Sequence, residues 1–167
     1  METLDSLQDD TVKSDSYNAI LPKYSSNNQF LLRNGFKQLK QNMGFTQIRF
    51  YCFKKERGRV FHIMTKTNTK GANVVKFFTT SDTMPVACGS FTRLPSDNSS
   101  LAANCDKWGY PTANRWGHSA MLTDDRLFKR PLTWPYKRFY RIGGNPYQCD
   151  DGSEGMSLGD TWQIFVR

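Results

Sequence analysis

The chain has 167 residues, and no stretch of it holds about 18 consecutive apolar residues, so no helix is long and apolar enough to cross a membrane. The opening METLDSLQDD also lacks the apolar core of about 7 to 15 residues that a secretory signal needs. Taken literally, Met1 begins a cytosolic protein. Histidine is scarce, with His62 and His118 alone. There is no CxxC pair, no His/Cys cluster at zinc spacing, no nucleophile elbow and no glycine-rich phosphate loop. A cysteine nucleophile would need a histidine brought beside it, and nothing local does this, so the chain reads as a non-enzyme. No RRM, KH or helix-turn-helix pattern is present either.

Acidic residues are scarce over a long stretch. Residues 1 to 15 carry five acids (Glu2, Asp5, Asp9, Asp10, Asp15) and one base, Lys13. Of 23 bases and 15 acids in all, 22 and 10 remain beyond that leader, a balance of +12. Between Ser16 and Ser81 there are twelve bases and one acid, Glu56. Such an imbalance sets up a positive potential and points to anionic partners. A single folded domain is expected at this length, with residues 1–28 a flexible polar leader and 29–167 the domain.

Four cysteines are an even number and allow three pairings. The favoured one joins Cys88 with Cys105, closing a short loop, and Cys52 with Cys149, tying two strands. Four free buried thiols are the alternative. The sequon Asn98-Ser99-Ser100 sits in a polar loop and could carry a glycan on a secreted chain.

Apolar residues Leu32, Phe36, Leu39 and Met43 recur at helical spacing and predict an amphipathic helix over 30–43 that ends at Gly44. The texture then changes. In FTQIRFYCF (45–53) Ile48, Phe50 and Cys52 share one face while Gln47, Arg49 and Tyr51 share the other, and VFHIMTKT (60–67) alternates likewise. ANVVKFFTT (72–80), YKRFYRI (136–142) and TWQIFVR (161–167) are β-branched and aromatic. These runs predict a mainly antiparallel, jelly-roll-like β-sandwich with a short N-terminal helix and long loops. Residues 81–135 are looser and hold five of the seven prolines.

The segment FKKERGRVFH (53–62) joins two predicted strands, with Gly58 placed to supply a tight turn. Lys54, Lys55, Arg57 and Arg59 would then crowd one exposed tip, where lysine and arginine match sulfate or phosphate oxygens. A solvated turn that only keeps the hairpin soluble is the other reading. RLFKRPLTWPYKRFYR (126–141) interleaves six bases with aromatic residues, and makes Trp134, Lys137 and Arg138 candidates for stacking and holding an anionic sugar. The acidic loop CDDGSEGMSLGD offers Asp150, Asp151, Glu154 and Asp160 as oxygen ligands for calcium. Its spacing is not that of an EF-hand, and a polar inter-strand turn is the simpler reading. No other cofactor is expected. Two WG pairs, Trp108-Gly109 and Trp116-Gly117, would mark a sugar or protein contact if exposed and would plug one end of the core if buried.

The runs NGFKQLKQNMGFTQIRFYCFKK, GRVFHIMTKTN, ACGSF, CDKWG, RWG and RIGG, then CDDG and the closing LGDTWQIFVR, resemble a recurring module of predicted extracellular proteins of corals and sea anemones. That resemblance spans about residues 30–167, and Gly159 to Arg167 is its most specific part. It implies an extracellular setting and disulfides, and carries over no catalytic residue. The function expected is an extracellular adhesion or matrix module that binds acidic glycans or an extracellular protein through the basic tip. The alternatives are an intracellular basic module that binds nucleic acid, and a purely structural module of a larger protein.

Overall fold

The structure, a computed structural model, describes residues 13–14, 30–31, 33–81, 83–108, 113–116, 134–136, 139–141 and 159–167. In chain order the elements are β1 (Lys13–Ser14), β2 (Phe30–Leu31), α1 (Arg33–Met43), β3 (Ile48–Lys54), β4 (Arg59–Thr65), α2 (Thr69–Thr79), β5 (Phe91–Arg93), α3 (Ser100–Ala103), β6 (Trp134–Tyr136), β7 (Phe139–Arg141) and β8 (Thr161–Val166). A four-stranded antiparallel sheet runs in the order β5-β4-β3-β8. The pairs β1-β2 and β6-β7 form two small separate ladders.

The period-two alternation of β3 and β4 decides which side of this sheet is wet. Ile48, Phe50 and Cys52 of β3 and Phe61, Ile63 and Thr65 of β4 are all buried, and the residues between them are half-buried. Register places Val166, Ile164 and Trp162 of β8 opposite Ile48, Phe50 and Cys52, so one apolar face continues across three strands.

That face is covered by helices, so the architecture is mixed α/β and the expected mainly-β sandwich is corrected. The error lies at ANVVKFFTT, which forms most of α2. Val and Phe favour strands in isolation, but Val74, Val75, Phe77 and Phe78 are all buried, and their spacing makes a helical stripe. The start signal was present as well: the Asn68 side chain caps the helix by accepting from the Gly71 amide at 2.9 Å. Gly71 is required by space, because a Cβ there would lie 1.9 Å from the Lys66 carbonyl oxygen. Helix α1 forms where predicted and packs beside α2. Phe36 is buried against Phe45 at 5.3 Å, whereas Met43, expected on the apolar face, is 61% exposed. The expected strand 136–142 is also corrected: the chain forms β6 and β7, paired antiparallel.

Aromatic rings fill the space between sheet and helices. Phe50 lies 5.2 Å from Phe78, 5.3 Å from Trp116 and 6.4 Å from Trp162. Trp108 stacks on Phe91 at 5.2 Å and meets Trp116 edge-on at 5.1 Å. Both tryptophans are buried, which makes them part of the core. Their indole N–H groups are satisfied there, Trp108 donating to the Leu101 carbonyl and Trp116 to Ser90 Oγ.

Two devices hold the irregular part in place. The Cys88–Cys105 disulfide is present, and beside it the chain around Asn114 pairs with residues 85–88: Val86 bridges Arg115, and the Cys88 amide donates to Asn114 Oδ1 at 2.7 Å. The second device seals the β4 edge after β5 ends at Arg93. The Leu94 and Asn98 amides donate to the His62 and Val60 carbonyls. In return the His62 amide donates to Asp97 Oδ2 and the Val60 amide to Asn98 Oδ1, each at 2.6 Å. Two side chains thus continue the ladder where no strand does. Asp97 also accepts from Arg93 and Ser99.

Replacing Cys88 and Cys105 together by Ser should lower the unfolding free energy in urea by about 3 kcal/mol, the loop-closure value for a loop of this size. An equal midpoint would show that the pairing around Asn114 holds the segment alone. Asp97→Ala should cost about 2 kcal/mol by the same assay, since it strips acceptors from the part-buried His62 amide and from Ser99, and the exposed Arg93 pairing adds little.

Candidate functional site

The hairpin tip differs from its expected form in a way that alternation explains. Lys54 continues the parity of Ile48, Phe50 and Cys52, and it is buried with 3% exposure. Arg59 stands opposite it in the β3-β4 register and is half-buried. The exposed tip is therefore the 3₁₀ turn Lys55–Arg57, which presents Lys55, Glu56 and Arg57. Gly58 closes it with φ 58°, the left-handed conformation expected from its place in the hairpin. The expected crowd of four exposed cations is thus corrected to two. A carboxylate also reaches the tip: Asp160 Oδ1 accepts from the Lys55 amide at 2.8 Å.

Asp160 is accordingly an anchor between the end of β3 and the start of β8. Its companions in the calcium reading, Asp150, Asp151 and Glu154, lie outside the described residues. Among the described residues no group of three or more His, Cys, Asp or Glu side chains is placed to hold a metal ion. Trp134 opens β6, while Lys137 and Arg138 lie outside the described residues, as does His118. Cys52 is disulfide-bonded, and Cys149 lies outside the described residues. The sequon asparagine is committed to the fold, for Asn98 Oδ1 accepts from Val60 and Nδ2 donates to the Gly58 carbonyl at 2.9 Å.

The larger basic surface is one the sequence motifs did not single out. Helices α1 and α2 carry no acid, and between Arg33 and Ser81 Glu56 is the single acidic residue. Lys37 on α1, Lys70 and Lys76 on α2, and Lys66 ahead of α2 are exposed. The buried residues of each helix pack into the core, and these lysines stand at exposed positions on the helices and just ahead of α2. The signal for it was the charge count over 16–81; the missing piece was α2, whose helical turn puts Lys76 outside while Val74, Val75, Phe77 and Phe78 all go in, a pattern no strand can give.

The other face of the sheet carries a different constellation. Arg49 and Tyr51 of β3, His62 of β4 and Phe165 of β8 share it, Tyr51 standing opposite His62 and Arg49 opposite Phe165. The Arg49 guanidinium carbon lies 3.9 Å from the Phe165 ring centroid, and the Tyr51 and His62 rings meet edge-on at 5.0 Å. His62 Nδ1 is 2.5 Å from Ser96 Oγ. Burial, and secondarily the positive charge of Arg49, lower the His62 pKa below the ordinary imidazole value, with Asp97 opposing.

Comparison with family models, curated proteins and solved structures gives no match to this chain. The coral and sea-anemone resemblance rests on the sequence motifs alone.

A lowered His62 pKa gives a signed expectation. The folded state resists a proton that the unfolded chain accepts near pH 6.5, so stability is full above that value and falls as pH drops toward the folded-state pKa. Urea midpoints should therefore decrease from pH 7.5 to pH 5.5, and His62→Gln should flatten part of that decrease. An identical slope in the variant would remove His62 from the account.

Proposed function

We propose that this chain is an extracellular, disulfide-stapled binding module that takes acidic polysaccharide or anionic matrix components. The observation that carries the reading is the acid-free helical layer. Lys37, Lys66, Lys70 and Lys76 are exposed on or beside two packed helices without a carboxylate on either, and Lys55 and Arg57 extend the charge to the hairpin tip. Clustered ammonium groups attract a polyanion at long range and need no shaped pocket. The Cys88–Cys105 disulfide and the bonded Cys52 support an oxidising setting, as does the resemblance to the extracellular coral and sea-anemone module.

The test is elution from immobilised heparin in a salt gradient. Wild type should be retained, and the variant carrying Lys37→Gln, Lys70→Gln and Lys76→Gln should elute at clearly lower salt, with Lys55→Gln and Arg57→Gln lowering it further. Lys107→Gln, beside the disulfide, should leave elution nearly unchanged. If the triple variant eluted with wild type, the helical layer would not be the binding surface.

A further inference from the structure

Among the described residues, two nitrogen atoms on the face of the sheet opposite the helices have no partner. Arg49 Nε and His62 Nε2 are both buried as atoms, and neither makes a hydrogen bond to a described residue. Buried polar atoms without partners are uncommon in folded proteins, and each costs free energy unless something satisfies it. Arg49 and His62 sit on adjacent strands two residues apart in the ladder, since Arg49 pairs with Met64 and Tyr51 with His62. They are diagonal neighbours on one face, a spacing that long side chains bridge readily. An Arg Nε always carries hydrogen. Ser96 Oγ can donate to His62 Nδ1, which leaves the ring hydrogen on Nε2, and protonation of the ring puts hydrogen there in any case.

We propose that Arg49 and His62 form a binding site for a single oxyanion, a sulfate ester or a carboxylate, separate from the lysines of the helical layer. A group that satisfies both N–H donors must be an acceptor, and beside a guanidinium it is favoured when negative. The surroundings agree. Besides these two, the charged or titratable groups near the imidazole among the described residues are Tyr51, edge-on to it, and Asp97, which holds its backbone amide. The Asp97 side chain is fully buried and occupied by Arg93 and Ser99, so it does not reach across to neutralise Arg49 through any contact described. Access is from the β8 side, where Arg49 lies over Phe165, a ring that is 37% exposed. A rotation of the half-buried Arg49 side chain about that ring would open Nε to the anion. Binding draws a proton onto His62, because an anion reverses the electrostatic effect of Arg49 on the ring. Affinity should therefore rise as pH falls, by about tenfold for each unit by which the bound anion raises the His62 pKa.

The experiment follows the His62 ring resonances of the full chain by NMR through pH titrations, with His62→Gln used to assign them against His118. Titrations are run in sodium chloride and, at matched ionic strength, in sodium sulfate and in sodium acetate. The expected result is a His62 pKa higher in sulfate, in acetate or in both than in chloride. Sulfate alone assigns the site to sulfate esters, and acetate as well extends it to carboxylates. Arg49→Gln should abolish the difference, while the triple helical-layer variant Lys37→Gln, Lys70→Gln, Lys76→Gln should keep it, so this site and the heparin surface fail independently. Equal His62 pKa values in all three salts on wild-type protein overturn the proposal, whatever the variants do.

Discussion

The packing of Phe50 against Phe78 and Trp116 is the contact on which the rest of this structure depends. Phe50 is central in β3, the strand that pairs on both sides, with β4 and with β8. Its ring meets one residue from α2 and one from the segment beyond the disulfide-closed loop, so sheet, helix and irregular chain share one apolar centre. Removing that ring would leave a cavity bordered by all three elements, and cores relax into such cavities only in part. Because Phe50 points inward, parity sends Arg49 and Tyr51 to the other face and draws Lys54 inward.

The distribution of charge follows from that arrangement. An acid-poor stretch would be only a count if its bases pointed in all directions. Once α2 lays Val74, Val75, Phe77 and Phe78 into the core, Lys70 and Lys76 are left exposed on it, as Lys37 is on α1. Arg49 is separated from them by the thickness of the sheet and the core. The two basic regions thus meet different environments: exposed ammonium groups in high dielectric on one side, and a guanidinium held against an aromatic ring on the other. The first suits a long polyanion held weakly at many points, and the second suits one charged group held at two atoms.

Irregular segments are made rigid here by side chains that stand in for strands. Asp97 and Asn98 accept from the β4 edge, Asn114 accepts from Cys88, and Asn68 caps α2. Short amides and carboxylates reach a neighbouring backbone without folding penalty, which is why turn-forming residues cluster in the loose middle of the chain. The Asn98 sequon reads in the sequence as a surface signal, yet both ends of its amide serve this ladder.

The strands β3, β4 and β8, the helix α1, the turn at Gly58 and the Cys88–Cys105 link were all legible in the sequence. Each rests on local information: period two, period near four, a glycine in a short connection, or two cysteines close along the chain. Lys54 was legible too, by extending the alternation of Ile48, Phe50 and Cys52 one step further, but the surrounding bases drew attention to charge. Helix α2 was not, because its valines and phenylalanines prefer strands until a sheet offers them a face to cover. The sequence by itself determined that this chain carries an apolar-faced antiparallel hairpin and a long basic stretch with almost no acid. Only the tertiary structure decided that helices cover that face and that Arg49 and His62 share the other with buried nitrogens that have no partner among the described residues, because burial depends on which distant segments come together, and no local pattern encodes that.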